Sequence, residues 1–519
     1  MRYRPARAAL AIWNASHAHS ASDRRYAGYL GVMLAIVFVA PTVRALWTAA
    51  SQPDVLHVLV APTAPLVGGL CVGGLWTFAL LLGGLRGPAL RSPVLTYALA
   101  RSGLSRISAF GGSVMRCALI VTVLTTGATG FIGVLLASHG SLTFGAAFAF
   151  AVLGTIIGVI ATVAWLTGQA APRAAGALAT GVVILMGVSA ISPAVAPFTP
   201  WGWIAAFWSS AASPAADPAT AIRWLVPLAA CALALASLTP WLLSRVRTQV
   251  LEGQSARWES SSVHAYGMDF SSAVSAYQGR PRVGRRVRAV RAGGAGRSGI
   301  ALVGTFVFRD AVGATRSPGR LAAGAFGIAA ASVLVTIAST APEPGVALGA
   351  LGAFAAVLAF AGLGPFTDGV RHAAAVAGDL PLYGVSDAQL LLLHAAFPVS
   401  AVLVLSGVMA AVSALALGIS PPAPILCAAT IGLCGVLARV SNALKGPLPL
   451  RLLTPIPTPE GDLSGAVRFI WSIDGVVLIA CVGAVLPLAA HAPAWCVVAC
   501  VPLVAVGAAR WSRRRSADR

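Results

Sequence analysis

Stretches of about 18 or more residues without a charged side chain recur through this chain, and each is long enough to cross a lipid bilayer. No soluble fold accommodates so many of them. Of the 519 residues, 58% are hydrophobic and only 10% are charged, against roughly 25% charged in soluble proteins. Too few charged side chains exist to cover the three or so soluble domains that the length alone would suggest. The sequence therefore predicts an all-α, polytopic membrane protein. A formal net charge of +21 would otherwise point to nucleic acid, but in this setting it reads first as a topology signal. The eight cysteines all lie in apolar stretches, where free cysteine behaves as a small hydrophobe. Neither a disulfide framework nor a metal site is expected, and no cofactor motif is present. Cys496 and Cys500 share a helix face but have no histidine or acid beside them.

Twelve spans are predicted, near 26–43, 62–84, 117–138, 144–168, 174–195, 222–244, 320–340, 345–364, 390–417, 422–439, 468–489 and 494–510. With the N-terminus inside, 34 of the 36 Lys and Arg fall in cytoplasmic segments, leaving only Arg44 and Arg223 outside. The positive-inside rule thus puts both termini in the cytoplasm. Trp47, Trp201, Trp203, Trp208, Trp224 and Trp495 fall at outer boundaries, and Trp165, Trp241, Trp471 and Trp511 at inner ones, as an interfacial belt would have them. GxxxG patterns at Gly69/Gly73 and Gly345/Gly349 suit close helix packing.

The spans divide six and six. Residues 1–244 form a first half and 300–519 a second, joined by 245–299, a basic, Ser- and Gly-rich stretch that reads as a disordered cytoplasmic linker. Its tract from Arg280 to Arg297 could attract anionic lipid. Each half opens with a partly polar amphipathic segment, Ala9 to Arg25 and Ile300 to Arg320. In each, the second span ends in Gly-Pro, Gly87-Pro88 and Gly364-Pro365, followed by a longer amphipathic loop, 87–106 and 364–390. Such an internal repeat is common in transporters.

Several chemistries are absent. The sole lysine is Lys445, and no G-x-x-x-x-G-K-[ST] occurs, so the chain carries no Walker-type ATPase. No H-E-x-x-H or G-x-S-x-G is present either, and an enzyme is not expected. Of fifteen acidic residues, only Asp474 sits inside a predicted span. Ion-coupled transporters need ionisable groups at depth, and one carboxylate near an interface is thin provision. His394 begins the ninth predicted span and reads as an interfacial histidine rather than a proton relay.

A twelve-span chain lacking its own ATPase and obvious coupling groups draws its energy from elsewhere. FRDAVGATRSPGR (308–320), YGVSDAQLLLLHAAFP (383–398) and PLRLLTPIPTPEG (449–461), together with the two Gly-Pro loops, resemble recurring segments of fused ABC permease-like proteins from GC-rich bacteria. In that group, permeases of exporters carry an elbow helix before the first span and a coupling helix between spans two and three. The resemblance implies a multi-pass protein of the bacterial plasma membrane, working with a separate ABC ATPase subunit on a small-molecule, lipid or peptide cargo. By that implication Gly87, Pro88, Arg91, Arg101 and Arg106 on one loop, and Gly364, Pro365, Arg371, Asp379 and Asp387 on the other, would serve ATPase coupling. Departing from the pattern, the first loop has no acidic residue between 87 and 116. Two other readings stand beside this one: a major-facilitator-type secondary transporter, and a non-transporting scaffold that keeps a permease fold.

Overall fold

The structure is a computed structural model. The structure describes residues 21–34, 36, 40–192, 194–212, 218–268, 270–278, 284, 287–289, 299–339, 346–376, 385–446, 448–449, 452, 454–458, 461–486 and 494–517. The chain divides into two compact units, Met1–His264 with Ser272–Tyr277, and Ala265–Ser271 with Gln278–Arg519.

Unit 1 runs through α1 (Ala21–Leu34), α2 (Ala40–Ala50), α3 (Pro53–Val60), α4 (Ala64–Leu85), α5 (Pro93–Arg101) and α6 (Arg106–Ser138). It continues with α7 (Phe144–Ala170), α8 (Ala175–Ile191), α9 (Pro200–Ala211), α10 (Pro218–Ser237) and α11 (Thr239–Arg245), and α12 (Thr248–Tyr266) carries the chain to the unit's end. After the short α13 (Phe270–Ser275), unit 2 contains α14 (Gly299–Thr315), α15 (Pro318–Ala338), α16 (Val346–Gly362), α17 (Asp368–Val376), α18 (Asp387–Ala416), α19 (Pro422–Leu444), α20 (Ser464–Val485) and α21 (Ala494–Ala517). The only pairing of extended chain among the described residues is a two-residue hairpin, β1 (Pro457–Thr458) with β2 (Gly461–Asp462).

Among the described residues, nine helical segments are long and apolar enough to cross a membrane, and two shorter apolar helices, Ala175–Ile191 and Leu348–Gly362, occupy two more of the expected positions. This is an all-α polytopic membrane protein. Of the first expected span, 26–43, the structure describes α1 up to Leu34 and α2 from Ala40, with residues 35 and 37–39 outside the described residues; Pro41 falls in the first turn of α2, where a missing N–H costs nothing. The expected linker 245–299 also differs from expectation. Its first part is the 19-residue helix α12, with Leu251, Gln254 and Ser255 buried. Low apolar content there reflects one narrow buried face, not disorder.

Local chemistry explains the helix starts. Ser105, Thr143 and Ser386 each accept an N–H from the first turn of α6, α7 and α18, and Ser386 completes a capping box with Gln389. Within unit 1, α4 and α7 cross where Gly83 and Gly168 face backbone of the other helix, and a Cβ at either would strike it. Within unit 2, Gly324 of α15 and Gly362 of α16 meet the same way. Without a hydrophobic drive between helices in lipid, such close approach supplies the packing. The GxxxG glycines Gly69 and Gly73 pack against the Trp201 carbonyl and Met186; Gly345 lies outside the described residues.

The expected tryptophan belt needs one correction. Trp201 and Trp208 are core residues, 5% and 8% exposed, carried by α9. Trp201 donates to the Ser189 hydroxyl at 2.7 Å, and Trp208 packs edge-on to Phe150. A buried indole needs such a partner, and Ser189 lies twelve residues back in the sequence, where no local pattern reveals it.

Candidate functional site

The two Gly-Pro loops are built on one plan. In unit 1, α4 ends at Leu85, Gly87-Pro88 turns the chain, and α5, nine residues long, leads to the 33-residue α6. In unit 2, α16 ends at Gly362, Gly364-Pro365 turns the chain, and α17, again nine residues, leads to the 30-residue α18. Pro88 and Pro365 have no N–H of their own to extend the preceding helix.

The first loop is held by neutral amides. Gln169, at the end of α7, and Gln254, on α12, are both fully buried. The Gly87 N–H donates to Gln254 Oε1 at 3.1 Å, and the Ala89 N–H donates to Gln169 Oε1 at 2.9 Å. Gln169 Nε2 donates to Gln254 Oε1 at 2.9 Å, and Gln254 Nε2 to the Gly83 carbonyl at 2.8 Å. The turn's orphaned polar groups are thus satisfied inside the protein, as buried backbone requires. A side chain at Gly87 would collide with Gln169. Ser255 of α12 donates to the Pro93 carbonyl, and Leu251 joins Ala89, Leu90, Leu99 and Ala100 in one apolar cluster.

The arginines of this loop are engaged within unit 1. Arg91 Nε donates to the Ala109 carbonyl at 2.9 Å. Arg106 donates to the Ala100 carbonyl at 3.0 Å and to the Thr248 hydroxyl at 2.6 Å. Arg101 Nε reaches Glu252 Oε1 at 2.6 Å, and that hydrogen bond with its charge holds the Arg101 guanidinium above its ordinary pKa. What α5 leaves exposed is Val94, Tyr97, Ala98 and Arg101, with the Arg101 guanidinium 4.5 Å above the Tyr97 ring.

The second loop is held by charges. Gly364–Phe366 forms a single 3-10 turn, and Arg439 of α19 donates Nε to the Phe360 carbonyl at 2.9 Å, satisfying the end of α16. Asp368 opens α17 and accepts from both Arg320, at 3.0 Å, and Arg371. α17 buries Val370, Ala373 and Ala374 and leaves Arg371 and His372 exposed. Beneath it lies a group that the sequence did not reveal. Asp310 of α14 and His394 of α18 are 8% and 1% exposed, with His394 Nδ1 2.7 Å from Asp310 Oδ2. His394 Nε2 has no hydrogen-bond partner among the described residues. A side chain at Gly369 would strike both groups. In the sequence Asp310 lies outside the predicted spans and His394 reads as an interfacial imidazole; in the fold they are one buried pair. Asp387 is the first residue of α18, where a carboxylate suits the helix dipole. Asp379 lies outside the described residues.

Asp474, the expected intramembrane carboxylate, is fully engaged. Lys445 Nζ lies 2.9 Å from its Oδ1 and Arg510 Nη2 2.6 Å from its Oδ2, while Arg510 also donates to the Ser441 hydroxyl at 2.9 Å. Lys445 further sits 3.8 Å over the Trp471 ring. The cluster ties α19, α20 and α21 together, and the chain's sole lysine is consumed by it. Among the described residues, no three His, Cys, Asp or Glu side chains converge as metal ligands.

These features define a multi-pass helical membrane protein with two matched polar loops. No known protein family, curated protein or solved structure matches the chain.

Proposed function

We propose that this chain is the membrane-spanning permease of a transporter energised by a separate ATPase, which docks on α5 and α17. The observation that carries the reading is the repeated succession of apolar helix, Gly-Pro turn, nine-residue helix and a following helix of 30 residues or more in both units. A short helix packed against long helices is suited to pass a push on to them. ATP hydrolysis belongs to the partner, since the chain has no P-loop. The reading includes a bacterial plasma membrane, both termini in the cytoplasm, and an exporter's direction of transport.

The test uses purified full-length protein and the P-loop ATPase that copurifies with it, scored by cargo-free ATP hydrolysis and by mass spectrometry. A Tyr97→Glu, His372→Glu double variant alters the exposed faces of α5 and α17 and should lose the ATPase at least about tenfold, the equivalent of about 1.4 kcal/mol. Undiminished recovery, or no ATPase with the wild type, overturns the proposal. A secondary transporter is the alternative, favoured by the buried Asp310–His394 pair, because a histidine beside a carboxylate can serve as a proton shuttle. Transport that collapses with a protonophore while ATP is held constant would select it.

A further inference from the structure

Arg91 and Arg116 bring two cations to one face of α6, and among the described residues no carboxylate is paired with either. α6 is 33 residues long, about 50 Å at 1.5 Å per residue, whereas the hydrocarbon core of a bilayer is about 30 Å thick. From Cys117 to Ser138 the helix has no charged residue, so Arg116 marks the point where α6 leaves the apolar layer. Arg91 comes to the same place from the Gly-Pro loop. Its Nε donates to the Ala109 carbonyl at 2.9 Å, and its Nη2 lies 3.5 Å from the position a Cβ would take on Gly112, one turn below Arg116. Ala109, Gly112 and Arg116 follow one another on a single face of α6. Burial and then the charge of Arg116 hold the Arg91 guanidinium below its ordinary pKa. Among the described residues, Arg116 makes no hydrogen bond or ion pair, and the Nη groups of Arg91 make none. Glu252 of α12 is taken by Arg101.

Two guanidiniums brought together without an anion repel each other, so the fold retains them at a cost unless an anion sits between. Guanidiniums bind phosphate oxygens with paired, charge-assisted hydrogen bonds. The surrounding surface selects the source of that phosphate. Met115 is 70% exposed, Leu119 64%, Ile120 59% and Val123 60%, and together they continue up α6 from the arginines. An ATPase surface in water would not seat against such a stripe, whereas acyl chains would.

We propose that Arg91 and Arg116 bind the phosphodiester headgroup of an anionic phospholipid whose chains lie along Met115, Leu119, Ile120 and Val123. This site is independent of the proposed ATPase docking, and Arg91 serves it in place of a partner protein.

The test is native mass spectrometry of the full chain titrated with phosphatidylglycerol, with phosphatidylcholine as the neutral lipid. Arg116→Gln alters an exposed residue that holds no other part of the protein, and its thermal midpoint in phosphatidylcholine nanodiscs should match wild type. It should weaken the tightest phosphatidylglycerol site about fivefold, the effect expected for one arginine at a membrane surface. Arg173→Gln, another exposed arginine of unit 1, should leave that site unchanged. Equal weakening by both variants, or by neither, overturns the proposal in favour of a diffuse basic rim. Inorganic phosphate displacing phosphatidylglycerol at millimolar concentration would overturn it too, because the site would then serve a soluble anion.

Discussion

The two Gly-Pro loops share a plan and differ in what holds them. In unit 1 the turn is fixed by two buried glutamines, Gln169 and Gln254, that meet its backbone groups one for one. In unit 2 the turn is fixed by Arg439 on the Phe360 carbonyl, by Asp368 between Arg320 and Arg371, and by the buried Asp310–His394 pair. Neutral amides hold their geometry regardless of salt or pH. Charged groups hold it only while their partners are present, and salt screens them. The comparison therefore predicts that one loop is a fixed part and the other responds to its surroundings, even though the chain traces both in the same way.

The sharpest way to break that comparison is at the buried pair. His394→Leu leaves the Asp310 carboxylate buried alone and should cost unit 2 about 3 kcal/mol, as removal of one member of a buried pair does. The double variant Asp310→Leu, His394→Leu should recover much of that loss, because no charge is then stranded. Unfolding in nanodiscs, followed by tryptophan fluorescence, reads both, and equal losses in the single and double variants would show that the pair is not coupled. Gln254→Leu comes next. It strands the Gly87 N–H, the Gly83 carbonyl and an amide of Gln169, at about 2 kcal/mol for the exposed polar groups together. Amide exchange should quicken through 86–92 and not in α17; the reverse pattern would sink the claim that α12 holds the first loop.

How much of this could be read beforehand varies with the physics. Charge-free runs mark spans because bilayer thickness sets a length, and nine of them became long apolar helices. The Gly-Pro turns and the short helices after them were legible, since proline and amphipathic spacing act locally. Asp310–His394 was not, because its members stand 84 residues apart and each looks ordinary in its own segment. Gln254 was hidden for a related reason. It lies 167 residues from Gly87, inside a stretch whose polarity resembles a linker, and a helix that covers a polar loop needs only a narrow apolar stripe. Trp201 and Trp208 misled through a true generalisation, since indoles do favour interfaces, yet α9 turns these two into the core.

A smaller effect sets the first loop against a carboxylate-held hairpin of unit 2. Near α20, the Asp462 carboxylate accepts the Ser464 and Ile456 N–H groups, both at 2.9 Å, and the Ser464 hydroxyl at 2.8 Å. The Ser464 and Ile456 backbone bonds hold its pKa below the ordinary carboxylate value. A lowered acid stabilises the fold above its unfolded pKa, about 3.9, and that contribution is lost as pH falls through the folded value. Acidification below about pH 4 should therefore speed exchange at 456–464, and Asp462→Asn should remove the dependence. Exchange at 86–92, held by glutamines, should show no such step beyond the intrinsic pH trend.

The smallest effect belongs to Arg101 and Glu252, the one ion pair on the first loop among the described residues, whose side chains are 60% and 25% exposed. Exposed pairs are screened within about 10 Å at 0.1 M salt and contribute little to stability. Arg101→Met should therefore lower the melting midpoint only slightly at low salt, and the difference should vanish by about 0.5 M. The same salt titration on Asp368→Asn should leave a residual difference, because Arg320 and Arg371 both lose their shared acceptor. If Arg101→Met keeps its full effect at high salt, the first loop depends on charge as much as the second does, and the contrast between neutral and ionic fastening fails.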